Sequence, residues 1–414
     1  MKQSVKSIAV AVALTTALAA SVALWLFTLG PYRTVELPEV LASAQPPVLG
    51  RFEDDGPIAD RTDWLRRRTQ LLGSLAQHIY GPAPADREAR VLSRSPIPAP
   101  LAGGVERVEQ WEVEIEEAGR LHLVLVLPPQ LRAAAPVIIM QNFCGNRAAF
   151  PGRPAAVAAP RQYYPIPCRI GAFDPLHRAA FGRWMLGPPF ERIGARGYAI
   201  AMYYGGDIVA DHAPDARPAL NALAGSDAGA VSAWAWVHAR VVDVLSEDPR
   251  LDVHRMIAWG QSRYGKIALL AAARDERIAA IVAVQSGRAG DALTSHRAGE
   301  SVVNITRVYP HWLSPRFADY AARNPPVDQH QLLALLAPRP VLLGWARRDG
   351  WSDPAGALIA VQSARPAFEL LGAPAPEHFF RGGGHGIEDA DWETTLEFLD
   401  RRLGRPVQSG LRAE

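Results

Sequence analysis

The sequence predicts an α/β fold, a mostly parallel sheet covered by helices. Three observations predict it. Beyond residue 135 the chain carries short runs that are apolar at every position, as strands buried on both faces are. Helix-length segments separate those runs, the alternation expected of parallel strands joined by crossovers. Ahead of them lie two stretches of a different kind, which read as an antiparallel pair. The chain has 414 residues, 49% of them apolar and 21% charged, enough to bury a substantial core without disulfides or metals. This composition excludes a disulfide-stapled mini-protein, a collagen and a disordered tail. With 44 Lys and Arg against 42 Asp and Glu, it lacks the broad basic excess that drives non-specific nucleic-acid binding.

In chain order, residues 1–33 read as a signal or membrane anchor. Lys2 and Lys6 precede 26 uncharged residues, Ser7 to Tyr32, and Arg33 closes the run. That is long enough to cross a hydrocarbon core of about 30 Å, and longer than a usual signal-peptide core. An uncleaved anchor is the preferred reading. Cleavage after Ala17-Leu18-Ala19 is the other. Both place the body outside the cytoplasm, in the periplasm, because the lysines stay inside. Residues 34–60, rich in Pro, Ala and Asp, read as a linker.

Residues 61–405 read as one catalytic-size domain, with 406–414 as a tail. Asp63–Tyr80 has helical spacing. Val105–Ile115 and Leu121–Leu127 form the antiparallel pair. The apolar runs are Pro136–Met140, Tyr198–Tyr204, Met256–Trp259, Ile278–Val284, Val341–Trp345 and Phe379–Phe380. Helical spacing marks Ser232–Leu245, Ile267–Arg274, Gln331–Leu336, Pro354–Leu371 and Trp392–Leu403. This order fits an α/β fold of the hydrolase kind. Cys144 and Cys168 flank a Pro- and Arg-rich loop. In an oxidising compartment they can pair, the alternative being a free buried thiol. Neither they nor the eleven histidines have zinc-type spacing.

The sharpest local feature is Trp259-Gly260-Gln261-Ser262-Arg263-Tyr264-Gly265-Lys266, which follows an apolar strand and opens a helix. A serine among small residues at such a turn is the nucleophile-elbow arrangement, although the second glycine comes three residues after the serine instead of two. Gly260 to Lys266 also spells the start of a P-loop. The following Ile267 cannot hold magnesium, and this disfavours the nucleotide reading. Elbow hydrolases run serine, acid, histidine. Asp349 stands just past a strand end and His385 lies in Arg381-Gly382-Gly383-Gly384-His385-Gly386, in that order. A carboxylate can fix the histidine tautomer and stabilise its imidazolium. Asp353 is a reserve acid. His330, just ahead of an apolar helix, reads as structural.

These residues resemble the glucuronoyl esterases, carbohydrate esterase family fifteen, and their bacterial branch in particular. The resemblance covers roughly residues 135–403. It rests on Asn142-Phe143-Cys144-Gly145-Asn146, Tyr203-Tyr204-Gly205-Gly206-Asp207-Ile208, Ser232-Ala233-Trp234-Ala235-Trp236 and Ser262-Arg263-Tyr264-Gly265-Lys266. Gly299-Glu300, Tyr309-Pro310-His311-Trp312, Pro326-Val327-Asp328-Gln329-His330 and Ala337-Pro338-Arg339-Pro340 follow in order. It implies Ser262 as nucleophile, His385 as general base and Arg263 as a holder of the oxyanion. It also implies Lys266, Glu300 and Trp351 around a sugar. At one of the family's two positions for the acid this chain has Gln285, followed by Ser286-Gly287. Gln285 can orient a histidine but cannot stabilise its charge. The acid role therefore falls on Asp349, with Gln285 left in the substrate pocket, where its loss should matter little.

The expectation is a serine esterase acting on esters of glucuronic acid or its 4-O-methyl form, as in lignin–glucuronoxylan cross-links, with no cofactor and no metal. Two alternatives stay open: a sugar acetyl esterase or other carboxylesterase on the same fold, and a non-catalytic, membrane-tethered binding protein.

Overall fold

The computed structural model describes residues 58–97, 107–131, 133–150 and 181–405, together with scattered positions that include Val35, residues 47–49 and 154–158, and Cys168. The N-terminal apolar segment and the C-terminal tail lie outside the described residues. Among the described residues no helix is long and apolar enough to cross a membrane.

The chain enters through helix α1 (Arg61–Leu75), capped by the Asp60 side chain, which accepts from the Asp63 N–H at 2.9 Å. A single wider turn carries it on to Tyr80. Three antiparallel strands follow: β1 (Ala89–Pro96), β2 (Arg107–Ile115) and β3 (Gly119–Leu127). Then come β4 (Ala135–Gln141), α2 (Phe190–Ala195), β5 (Ala199–Tyr203), α3 (Ala213–Ala224), α4 (Ala230–Ser246) and β6 (Leu251–Gln261). The second half runs α5 (Arg263–Arg274), β7 (Ile278–Val284), α6 (Val302–Val308), α7 (Gln329–Ala334), β8 (Val341–Ala346), α8 (Pro354–Leu370), β9 (Glu377–Arg381) and α9 (Asp389–Leu403).

These strands make one sheet in the order β1-β2-β3-β5-β4-β6-β7-β8-β9, parallel from β5 to β9. The order follows from the residues. β4, β5 and β8 are buried at every position and, but for Gln141 at the end of β4, apolar throughout, so they need cover on both faces. β2 alternates buried and more exposed residues, as a strand with one wet face does. Helices α4, α5 and α8 cover one face, in one large apolar cluster with Trp234, Leu269 and Phe368. Helices α2 and α9 cover the other, where Trp259 and Trp392 stack at 4.6 Å.

Several elements were not legible in the sequence. β1 is nearly all exposed, and Arg90, Ser93, Arg94 and Ser95 give it the polar character of a protected sheet edge. The helix α6 sequence is β-branched at most positions and reads locally as strand, but Ser301 caps it by accepting from the Asn304 N–H at 3.0 Å. Two described positions in the expected linker, Val35 and Val48, contact the domain. Val48 is fully buried in the main core and its carbonyl accepts from Arg67 Nε at 3.2 Å, while the Val35 N–H donates to the Arg347 carbonyl at 2.8 Å. Those described positions pack on the body.

The fold places a site by topology. The chain goes from β4 to β5 on one side, then returns past β4 to β6 on the other. The connections after β4 and β6 therefore diverge at the carboxyl ends of neighbouring strands and leave a crevice there. The loop after β4 holds Phe143 and Cys144. Cys144 is bonded to Cys168, 24 residues on, closing a loop whose cross-link is worth about 3.5 kcal/mol on chain-entropy grounds.

Candidate active site

Ser262 sits at the turn from β6 into α5 with φ 56 and ψ −124. A serine holds that left-handed backbone only where its surroundings impose it. Two glycines make room. A Cβ on Gly260 would come within 2.1 Å of the Tyr264 carbonyl oxygen, and one on Gly265 within 2.7 Å of Ser286 Cβ. This accounts for the departure in glycine spacing: Gly265 is needed where α5 crosses the end of β7. The Ser262 N–H donates to the Val284 carbonyl at 2.9 Å and locks the elbow to that strand.

The three residues expected in sequence order meet. Ser262 Oγ lies 3.0 Å from His385 Nε2, and His385 Nδ1 lies 2.8 Å from Asp349 Oδ2. Asp349 is fully buried, and its carboxylate also accepts from the Ser352 hydroxyl and, at 3.3 Å, from the Ser352 N–H. Asp353, the reserve acid, is engaged elsewhere. Its carboxylate is committed to His296 Nδ1 at 2.8 Å and to the Gly356 N–H at 3.0 Å, where it caps α8. The His385 loop is built around Arg381. Its guanidinium pairs with Asp391 at 2.6 Å and donates to the carbonyls of Gly382 (2.7 Å) and Gly386 (2.6 Å).

Gln285 lies on the cavity wall and is tied to the His385 loop. It is 1% exposed, and both ends of its carboxamide are spent on the His385 loop. Nε2 donates to the Gly384 carbonyl at 3.1 Å and Oε1 accepts from the Gly386 N–H at 2.9 Å. The side chain borders the cavity and brackets His385 from both sides. Beside it, Gln261 Nε2 lies 3.1 Å from His385 Nε2.

The triad opens onto a cavity of about 290 Å³ whose walls include Phe143, Ser262, Arg263, Lys266, Gln285, Glu300, Trp312, Trp351 and His385. Every residue expected at the site lies on this cavity except Asp349, which is buried behind His385. His330 is buried elsewhere, in α7. Lys266 and Glu300 lie 3.9 Å apart, both buried, and Lys266 Nζ donates to the Ser286 carbonyl at 2.6 Å. Burial pushes the Lys266 ammonium below its ordinary value and the Glu300 carboxyl above its own, and their mutual attraction only partly offsets this. Trp351 is 37% exposed at the rim, and its carbonyl accepts from the Glu300 N–H at 2.8 Å. Arg288 holds the same loop from below, donating to the carbonyls of Glu300 (2.7 Å), His296 (3.0 Å), Leu293 and Ala298.

A family model described as glucuronyl esterase, fungi, matches residues 195–372. Carbohydrate esterase MZ0003, from an unknown prokaryotic organism, is 29% identical over 387 residues, 84% of this chain and 88% of that one. The 4-O-methyl-glucuronoyl methylesterase 1 of Wolfiporia cocos is 30% identical over 225 residues, 50% of this chain and 55% of that one. Among solved structures, the glucuronoyl esterase from Solibacter usitatus superposes with a TM-score of 0.70 at 26% identity, over 88% of this chain and 99% of that one. The chain is similar to the glucuronoyl esterases over most of its length. It is an ester hydrolase of the carbohydrate-esterase kind, and its α/β sheet is the one those bacterial structures share.

Sequence reading of this esterase missed Asp211, between β5 and α3, which touches Arg263, His311 and Trp312. Nothing in its spacing singles it out. It also missed the cavity residues Phe181 and Met185, which belong to a stretch with no periodic pattern.

Proposed function

We propose that this glucuronoyl esterase hydrolyses carboxylic esters of glucuronic acid or its 4-O-methyl form by a serine mechanism. The observation that carries the reading is the hydrogen-bonded series Ser262–His385–Asp349 opening onto the cavity that holds Lys266, Glu300 and Trp351. Ser262 Oγ attacks the ester carbonyl while His385 Nε2 takes its proton. Asp349, at Nδ1, fixes the tautomer and stabilises the imidazolium. The Arg263 side chain and backbone N–H groups at the start of α5 hold the tetrahedral oxyanion. His385 then protonates the leaving alcohol, and water, deprotonated by His385, releases the uronic acid from Ser262.

The buried Lys266–Glu300 pair offers donors and an acceptor to sugar hydroxyls, and the Trp351 face suits the C–H face of a pyranose. A small acetyl group would use none of these, and this favours the uronate over a sugar acetate. A lignin-derived alcohol on a glucuronoxylan is the natural ester this reading points to. We also propose that the protein works outside the cytoplasm, anchored or exported by residues 1–33. The apolar run there and the Cys144–Cys168 bond support that reading.

The test is hydrolysis of benzyl glucuronate by the full chain, alongside Ser262→Ala and labelling with a fluorophosphonate probe. Turnover and labelling that both vanish in Ser262→Ala are expected. Turnover that survives Ser262→Ala would overturn the mechanism.

A further inference from the structure

Arg263 is not simply a cation near the nucleophile; its guanidinium is held on three sides. Its centre lies 4.4 Å from the Trp312 ring and 4.6 Å from the Phe143 ring, with Tyr309 at 5.3 Å. Its Nη1 donates to Asp211 Oδ2. Asp211 is itself fixed: Oδ1 accepts from His311 Nε2 at 2.9 Å and from Trp312 Nε1 at 2.8 Å. Asp211, His311 and Trp312 are all buried, and Arg263 is 6% exposed on the cavity wall.

Stability alone is a poor reason for this arrangement. A buried ion pair costs much of what it returns, and apolar residues of similar volume would pack as well. What the arrangement does supply is a single direction for a long side chain that could otherwise swing. An arginine loses rotamer freedom when ordered, and an oxyanion donor works only if that ordering precedes the reaction. The carboxylate also stays charged. Burial alone would raise Asp211, but Arg263, His311 and Trp312 more than offset this and hold it below the ordinary carboxylate range.

We propose that Asp211 is a positioning residue for ester hydrolysis, and that the His311–Trp312 pair anchors it so that Arg263 is aimed at the oxyanion before substrate arrives. This rests on the role given to Arg263 above. The test is a double-mutant cycle in the full chain with benzyl glucuronate as substrate. Arg263→Ala should lower kcat by roughly 10²–10³-fold, the usual cost of an oxyanion donor. Asp211→Asn keeps the size of the side chain but removes the charge. It should lower kcat about 10–100-fold with KM changed less than about threefold, and Asp211→Asn in Arg263→Ala should cost nothing more. Trp312→Phe keeps an aromatic ring near the guanidinium and deletes the donor to Asp211, at the cost of some ring area against Tyr309. It should give a smaller kcat loss in the same direction, and it carries the test if Asp211→Asn does not fold. The inference is overturned if Asp211→Asn or Trp312→Phe leaves kcat unchanged while Arg263→Ala is crippled, or if the Asp211 and Arg263 losses simply add. Wild-type kcat in Arg263→Ala would instead sink the oxyanion role itself.

Discussion

Replacing Gln285 with alanine removes the bracket across His385. Two hydrogen bonds to the loop go, one to the Gly384 carbonyl and one from the Gly386 N–H, both backbone groups adjoining the histidine, along with a longer one from Gln261 Nε2 at 3.4 Å. At about 1 kcal/mol net for each, the loop loses roughly 2 kcal/mol of preference for the conformer that keeps Nε2 on Ser262. If this appears in the barrier, kcat falls roughly 30-fold. KM should move little, because Gln285 is 1% exposed and its amide is occupied. The assay is steady-state hydrolysis of benzyl glucuronate, with thermal unfolding as a control for general damage. Gln285→Glu refines the test. An ionised glutamate can still accept from the Gly386 N–H but cannot donate to the Gly384 carbonyl, so its rate should fall between wild type and alanine. A kcat within twofold of wild type in Gln285→Ala would refute the bracket.

Other predictions follow from the same geometry. Asp349→Asn should lower kcat by about 10⁴-fold with folding retained, since the asparagine can no longer stabilise the imidazolium; Asp353→Asn should act on stability, through α8 and His296. Because burial holds the Lys266 ammonium below 10.5, its charge is lost as pH rises through that lowered value. KM for the uronate ester should therefore climb at a pH where an ordinary lysine is still protonated, and Lys266→Arg should delay that climb. His238 is fully buried, and burial pushes it down from 6.5 to about 4. A depressed histidine favours the folded state above its unfolded pKa and loses that contribution as pH falls from 6.5 to 4. The stability margin of wild type over His238→Gln, read by urea unfolding, should shrink across that window by up to about 3 kcal/mol.

The parallel half of the sheet was legible because strands such as Ile278–Val284 are apolar at every position, a signal that survives any tertiary context. The triad was legible because Ser262, Asp349 and His385 each follow a strand end, and the order of those ends is the order of the chain. Partners that depend on packing were not legible. Asp211 matters through a guanidinium, a histidine and a tryptophan 52 to 101 residues away, and no local pattern encodes that meeting. Gln285 was read as able to orient a histidine, but no local pattern showed that its carboxamide sets one donor and one acceptor on either side of His385. The edge strand β1 and the short helix α6 were lost for the opposite reason, since their local composition argues against the structure that neighbouring elements impose.

The measurement that reaches the central claim most directly is the ratio of kcat/KM for benzyl glucuronate to that for an acetylated sugar of similar size, in wild type and in Lys266→Met. Wild type should prefer the uronate by a wide margin, and Lys266→Met should narrow that margin through KM, with the triad intact. A preference for the acetate, or a ratio that Lys266→Met leaves unchanged, would contradict the account of this cavity as a uronate site.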